Sequence, residues 1–200
     1  MTAPGPLDLR LVDAVDRLSR ALRIARQDIA TKHGLSLLQL QLLEHLAPRH
    51  IKRVGELARN FGVTQPTASD ALTALEGKGY VERGSDPTDR RATTVTLTAT
   101  GARLASQISE EFAPIVEAER TTSADERGTA LHVVLSEIRR LQNLGIITVD
   151  RSCFSCHHFQ PPEPGREGHA YCTLLRETLR QQDLRVDCPE HSTLTGSAPR

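Results

Sequence analysis

The stretch from Arg53 to Gly101 constrains the fold more than any other part of the chain, because its apolar pattern changes period within one short run. In Val54-Gly-Glu-Leu-Ala-Arg-Asn-Phe61, residues Val54, Leu57, Ala58 and Phe61 share one face of a short amphipathic helix. Gly62 stops it. Thr64 is a good N-cap for a second helix, and Pro66 falls in the first turn, where its missing N–H costs nothing. Ala68, Ala71, Leu72 and Leu75 give that helix an apolar face, while Gln65, Thr67, Ser69 and Asp70 turn short polar groups elsewhere. After Gly79 the period drops to two. Tyr80–Arg83 and Thr93–Thr98 read as strands, and Gly84 to Arg91 between them is a turn-forming loop with adjacent arginines, Arg90 and Arg91. Helix, turn, helix and hairpin predict a winged helix-turn-helix. Thr64, Gln65, Pro66, Thr67 and Ser69 are placed to read base edges, and the arginine pair suits phosphates or a narrow minor groove. The competing reading is of ordinary exposed helix residues and a solvated charged tip.

Long helices flank this unit. From Leu7 onward, Leu11, Val15, Leu18, Leu22, Ala25 and Ile29 alternate in steps of four and three, a heptad-like seam that packs on its own core or on another subunit. Gly34 ends that helix. Ser36 and Gln39 form a capping box before Leu37–Leu46, which is apolar on most of its circumference and is therefore expected at the centre. Beyond the hairpin, Leu104, Ile108, Phe112, Ile115 and Val116 line another helix. Ser123 and Glu126 repeat the capping box before a last one lined by Leu131, Val134, Leu135, Ile138 and Leu141. Apolar faces left over at both ends call for a partner, which a symmetric dimer supplies.

Over residues 7 to 145 the chain resembles the MarR family of bacterial transcription regulators. The residues that carry the likeness are Gln65-Pro-Thr-Ala-Ser69, Leu75-Glu-Gly-Lys-Gly-Tyr-Val-Glu-Arg83 and, above all, Asp86-Pro-Thr-Asp-Arg-Arg91 leading into Val95–Gly101. The resemblance implies a homodimer that binds double-stranded DNA at a pseudo-palindromic operator. It also implies recognition-helix residues in the major groove and Arg90 or Arg91 at the wing tip, oriented by an aspartate matched here by Asp86 or Asp89. A small-molecule effector in the dimer cleft, as in many members, is a further possibility it brings.

The whole-chain charge adds nothing to that case, since 25 basic residues balance 25 acidic ones; local basic residues must carry it. Aromatics are only 3% of the chain, so the core must be aliphatic. No charged start followed by an apolar run marks a signal peptide, and no apolar stretch is long enough for a membrane span, so a cytoplasmic protein is expected.

The tail from Arg151 departs from the family pattern. All four cysteines lie there, as Cys153-x2-Cys156-x15-Cys172-x15-Cys188, together with His157, His158, His169 and His191 and the rings of Phe154, Phe159 and Tyr171. In a cytoplasmic protein such clustering points to a metal centre before a disulfide framework. Two thiolates two residues apart can grip one centre from a single turn, and the distant pair closes the cage. Zn2+ would accept this set. An iron–sulfur cluster, 4Fe–4S, is favoured, because the spacing is similar to that of high-potential iron–sulfur proteins, as are the aromatic residue before Cys172 and the Cys188-Pro189 step. The histidines read equally well as solvated tail residues. No phosphate-cradling glycine loop or catalytic constellation is apparent, which argues against an enzyme.

The expected architecture is mainly α with a small β-hairpin wing. Residues 1–150 form a winged helix domain, with the DNA-binding core at about 36–100 and dimerisation helices at about 7–31 and 100–145; residues 151–200 form a Cys-rich metal-binding tail. Three functions follow. The first is a DNA-binding regulator responsive to metal or redox state through the tail. The second is a ligand-responsive repressor with a purely structural zinc tail. In the third, the tail serves as an electron-transfer or protein-docking module.

Overall fold

Alternating leucines and capping residues resolve into six α-helices and two small antiparallel sheets among the described residues of the computed structural model. Those residues are 5–47, 52–86, 92–147, 149–162 and 168–193. Two compact units emerge, Met1–Leu57 with Gln65–Ile115 and Ala58–Thr64 with Val116–Arg200.

In the first unit, helix α1 (Pro6–Lys32) ends where Gly34 takes a positive φ of 64° and Leu35 N–H returns to the Ala30 carbonyl at 2.8 Å. Helix α2 (Leu37–Leu46) starts on the expected capping box, with Gln39 N–H donating to Ser36 Oγ at 3.2 Å. As its all-round apolarity demands, Leu40, Leu42, Leu43 and Leu46 are fully buried. Each contributes about 1.5–3 kcal/mol by leaving water. Helices α3 (Val54–Asn60) and α4 (Gln65–Gly77) follow, and Leu57, Leu72 and Leu75 join the aliphatic interior. Strands β2 (Val81–Ser85) and β3 (Thr93–Leu97) form the wing ladder, with Val81 opposite Leu97 and Ser85 opposite Thr93. A third strand, β1 (Lys52–Arg53), pairs with β3 on its other side. Two residues carry too little periodicity to announce a strand, so the hairpin reading omitted it. Helix α5 (Ala99–Ala118) then packs Leu104 and Ile108 inward, while Val116 is exposed.

The α5 start is tied tightly to the wing. Thr98 Oγ1 donates to the Gly79 carbonyl at 2.7 Å and accepts from Gly101 N–H at 3.0 Å, which brings Gly101 so close that a Cβ there would stand 1.8 Å from the Tyr80 carbonyl oxygen. Only glycine fits. At the chain's start, the expected seam of α1 divides. Leu11, Val15 and Leu18 are exposed, whereas Leu22, Ala25 and Ile29 are half-buried.

In the second unit, helix α6 (Ala124–Asn143) begins on the Ser123–Glu126 box and forms a core with the tail that follows. Leu135 is fully buried against Cys153, Ala170, Leu179 and Leu184, flanked by Leu131, Ile138, Phe154 and Phe159. Val134 and Leu141, expected on that lining, are exposed. The tail is a sheet of β4 (Phe159–Gln160), β5 (Ala170–Cys172) and β6 (Glu177–Leu179), in that order, with short 3-10 turns at Cys153–Ser155 and Gln181–Asp183. Against the latter turn α6 presents Gly128, where a Cβ would stand 3.2 Å from Gln182 N. Thr129 Oγ1 donates to Gln181 Oε1 at 3.1 Å alongside. No helix among the described residues is long and apolar enough to cross a membrane.

Candidate nucleic-acid interface and four-cysteine pocket

Helix α4 begins at Gln65, and its leading residues Gln65, Pro66 and Thr67 are exposed, as is Thr64 just before it. Buried Ala68 and Leu72 on the opposite face hold that edge outward. Ser69 is half-buried, and its backbone carbonyl accepts from Arg83 Nη2 at 2.9 Å. Arg83 also donates to Thr73 Oγ1 at 2.9 Å, and its Nε stands 3.3 Å from Glu76 Oε2. A strand residue that the sequence offers only as part of the alternating pattern thus fastens wing to helix. Its role is invisible without the distances, because nothing in the periodicity separates this half-buried arginine from an exposed one.

The base of the wing has a second fastening. Arg53 Nε donates to Asp86 Oδ2 at 2.6 Å, and Asp86, only 8% exposed, also bonds its N–H to the Ala92 carbonyl at 3.1 Å. This ion pair crosses from β1 to the loop entrance, where a charged partner in the half-buried site contributes more than an open-surface pair would. The tip residues Asp89, Arg90 and Arg91 lie outside the described residues. Farther back, Glu111 bonds both Lys32 Nζ at 3.0 Å and His33 Nε2 at 2.9 Å, and the bonds to Lys32 and His33 hold its carboxyl below the usual range. Arg26 lies 4.3 Å from the centroid of the Phe112 ring and pairs with Glu44 at 3.4 Å. Burial nevertheless raises the Glu44 carboxyl above its ordinary value, with Arg26 opposing.

In the second unit the four cysteines come from three places in the tail and line one pocket with His158, Phe159, Leu174, Leu175, Leu179, Arg185 and Glu190. Its volume is about 410 Å3, mouth included. All four carry free thiols. Cys153 and Cys156 sit at the two ends of one 3-10 turn, Cys156 N–H donating to the Cys153 carbonyl at 3.1 Å. Cys172 is fixed by β5, in register with Phe159 on one side and Glu177 on the other. Cys188 is held by Arg151, whose carbonyl accepts the Cys188 N–H at 3.1 Å while Nη2 donates to the Cys188 carbonyl at 2.9 Å and Nε to Asp187 at 2.8 Å.

Arg185 faces two of the sulfurs. Its N–H donates to Cys153 Sγ at 3.2 Å, and Nη1 stands 3.8 Å from Cys188 Sγ. Burial pushes the Cys153 thiol above its ordinary value, opposed by that N–H bond and reinforced by the other three cysteines. A thiol so displaced is a poor nucleophile at neutral pH. Behind the pocket, Ser152 is fully buried and donates both N–H and Oγ to Asp150, and Ser155 Oγ meets the Asp150 carbonyl and His191 Nε2, each at 2.8 Å. His191 is thereby occupied in the scaffold, and burial, then Arg151, lowers its pKa. His158 lines the pocket, whereas His157 and His169 are exposed. Among the described residues no three His, Cys, Asp or Glu side chains stand close enough to hold a single metal ion.

Residues 33–92 match the family model of the MarR family. Solved structures similar to this chain include the transcriptional regulator BldR from Sulfolobus solfataricus, 24% identical at a TM-score of 0.55 over 67% of this chain and 99% of that one. MepR of S. aureus in its DNA-binding conformation is 19% identical at a TM-score of 0.62, over 66% and 98%. NadR in complex with 4-hydroxyphenylacetate is 24% identical at 0.56, over 69% and 95%. No curated protein matches the chain. At such identities these likenesses speak for the fold. Periodicity, wing geometry and family match agree on one statement: residues 33–92 of this chain carry a MarR family domain on a winged helix fold.

Proposed function

We propose that this chain is a cytoplasmic, homodimeric transcription regulator that binds a pseudo-palindromic operator, with an affinity that responds to a metal centre on the four tail cysteines. The observation that carries the reading is the exposed leading edge of α4, pinned by Arg83 to the wing strand beside it. Short polar side chains on a helix fastened to the wing keep a fixed direction, which base-edge readout requires. The similar fold of MepR in a DNA-binding conformation supports it.

Dimerisation follows from the apolar residues the single chain leaves uncovered, Leu11, Val15 and Leu18 on α1 and Val133, Val134 and Leu141 on α6. Helix α6 also packs its other face on the tail. A change in the tail therefore reaches a helix that a second copy would cover. Operator half-sites lie about 34 Å apart, so a small change in the angle between subunits spoils register. A coupling of about 1 to 3 kcal/mol shifts operator affinity roughly 5- to 150-fold.

The full-length protein and a Cys172→Ala variant are compared for size in solution and for binding to duplexes from the region upstream of the gene. Dimers that bind one duplex, with weaker or tighter binding in the variant, support the proposal. A monomer, or indifference to every duplex, ends it; equal affinity with metal confirmed absent from the variant ends the coupling alone. NadR in complex with 4-hydroxyphenylacetate favours a second reading, in which a small aromatic acid is the effector and the tail is structural. Operator release by such an acid at unchanged metal content would select it.

A further inference from the structure

We infer that the tail pocket takes a cubane four-iron, four-sulfide cluster rather than one zinc ion, with Cys153, Cys156, Cys172 and Cys188 each binding one iron. This deepens the metal-centre part of the proposed function and does not depend on DNA binding. A single zinc bound by four thiolates, with Zn–S near 2.3 Å, needs sulfurs about 3.8 Å apart from one another. The four thiols line one pocket of about 410 Å3, mouth included, together with seven other residues. Thiols arranged around shared space, rather than gathered to a point, suit a polynuclear centre.

Three further features fit. Phe159, Leu174, Leu175 and Leu179 give the pocket apolar walls, which exclude water from a cluster. Arg185 supplies an N–H at 3.2 Å from Cys153 Sγ and a guanidinium nitrogen at 3.8 Å from Cys188 Sγ, so donors and positive charge face the sulfurs of an anionic centre. The cysteines are set by four separate backbone devices: a 3-10 turn, a β-ladder, the Arg151 clamp and the reciprocal bond of Cys153 N–H to the Arg185 carbonyl at 3.1 Å. That spreads the ligands around a volume and keeps them there.

The full chain, purified without air, is analysed for iron, acid-labile sulfide and zinc, and the metal-free protein is then offered ferrous and ferric iron in equal amounts with sulfide in one arm and Zn2+ alone in the other. The cluster predicts a brown protein with four iron and four sulfide per chain, broad visible charge-transfer absorption, and loss of both in Cys172→Ser and in Cys188→Ser at unchanged helical circular dichroism. One zinc per chain without sulfide, or no metal taken up in either arm, overturns it. If the variants lose their helices, the wild-type stoichiometry still decides. Duplex binding on the same preparation separates this inference from the regulator reading. A colourless zinc protein that binds its duplex overturns the cluster alone, whereas a brown protein that binds none overturns the regulator alone.

Discussion

The two units of this molecule are held together by different means. In the first, Leu40, Leu42, Leu43, Leu46, Leu57, Leu72, Leu75, Val95 and Ile108 are all fully buried, an aliphatic interior in keeping with a chain so poor in aromatic residues. In the second, Leu135 is the large apolar side chain buried to that degree among the described residues, and Ser152 is as fully buried. Beside its small apolar core, Asp150, Ser152 and Ser155 form a buried polar knot. A net intramolecular hydrogen bond contributes about 0.5–1.5 kcal/mol, less than a buried leucine, so such a knot specifies geometry more than it stabilises. The contrast teaches that the tail relies on fixed polar contacts beside a small core, whereas the winged unit adds its ion pairs and caps to a large aliphatic one.

Withholding metal from the full chain breaks the comparison most sharply. If the tail holds the proposed centre, amide exchange should accelerate about 100-fold or more at β4, β5 and β6, because a small segment would then draw much of its folding free energy from the metal, while α2 and α4 keep their protection. Equal protection with and without metal would show that the polar knot suffices. Next comes Leu135→Ala, which removes the side chain joining α6 to the tail. A loss of about 3 kcal/mol, read as exchange in both α6 and β5 with α2 unaffected, is expected for a fully buried leucine. Gly101→Ala tests the other unit. Its Cβ must displace the Tyr80 carbonyl, so exchange along β2 and β3 should reveal about 2 to 3 kcal/mol of local destabilisation, with the tail silent.

The smallest effect is electrostatic. The bonds from Lys32 and His33 depress the Glu111 carboxyl, so its contribution is fully present above the ordinary carboxylate value and is lost as pH falls through the lowered one. Glu111→Gln should therefore melt lower than wild type at neutral pH, and the two melting curves should converge in acid. A difference that persists below the carboxylate range would place the cause elsewhere.

The helices and the wing were legible in the sequence because their signals are local and periodic. The Ser36–Gln39 and Ser123–Glu126 boxes mark helix starts to the residue, Gly34 and Gly145 mark ends at positive φ, and the drop to period two after Gly79 marks the wing. What escaped is non-local. Strand β1 exists only through its pairing with β3, and Arg83 matters only because α4 places the Ser69 carbonyl and Thr73 hydroxyl beside it. Likewise the cysteine spacing proclaims a shared site, but the sheet between the pairs, the Arg151 clamp and the Arg185 donors appear only once the chain has folded back. Nor did heptad steps reveal that the α1 seam is exposed over its first half, since periodicity records a face and not what covers it.

Gly128 carries a last consequence. Where a helix lacks a side chain and the Gln181–Asp183 turn sits in the resulting notch, sliding the tail by one helical turn would drive that turn into ordinary side chains. The tail is thus keyed to one rung of α6, like a bit cut for a single lock. Grafting the tail onto a foreign protein would go best with a recipient helix that has a glycine at the matching height, since a Cβ there makes Gln182 give by a few tenths of an ångström, followed by leucine- or isoleucine-sized residues at the offsets of Leu131, Leu135 and Ile138.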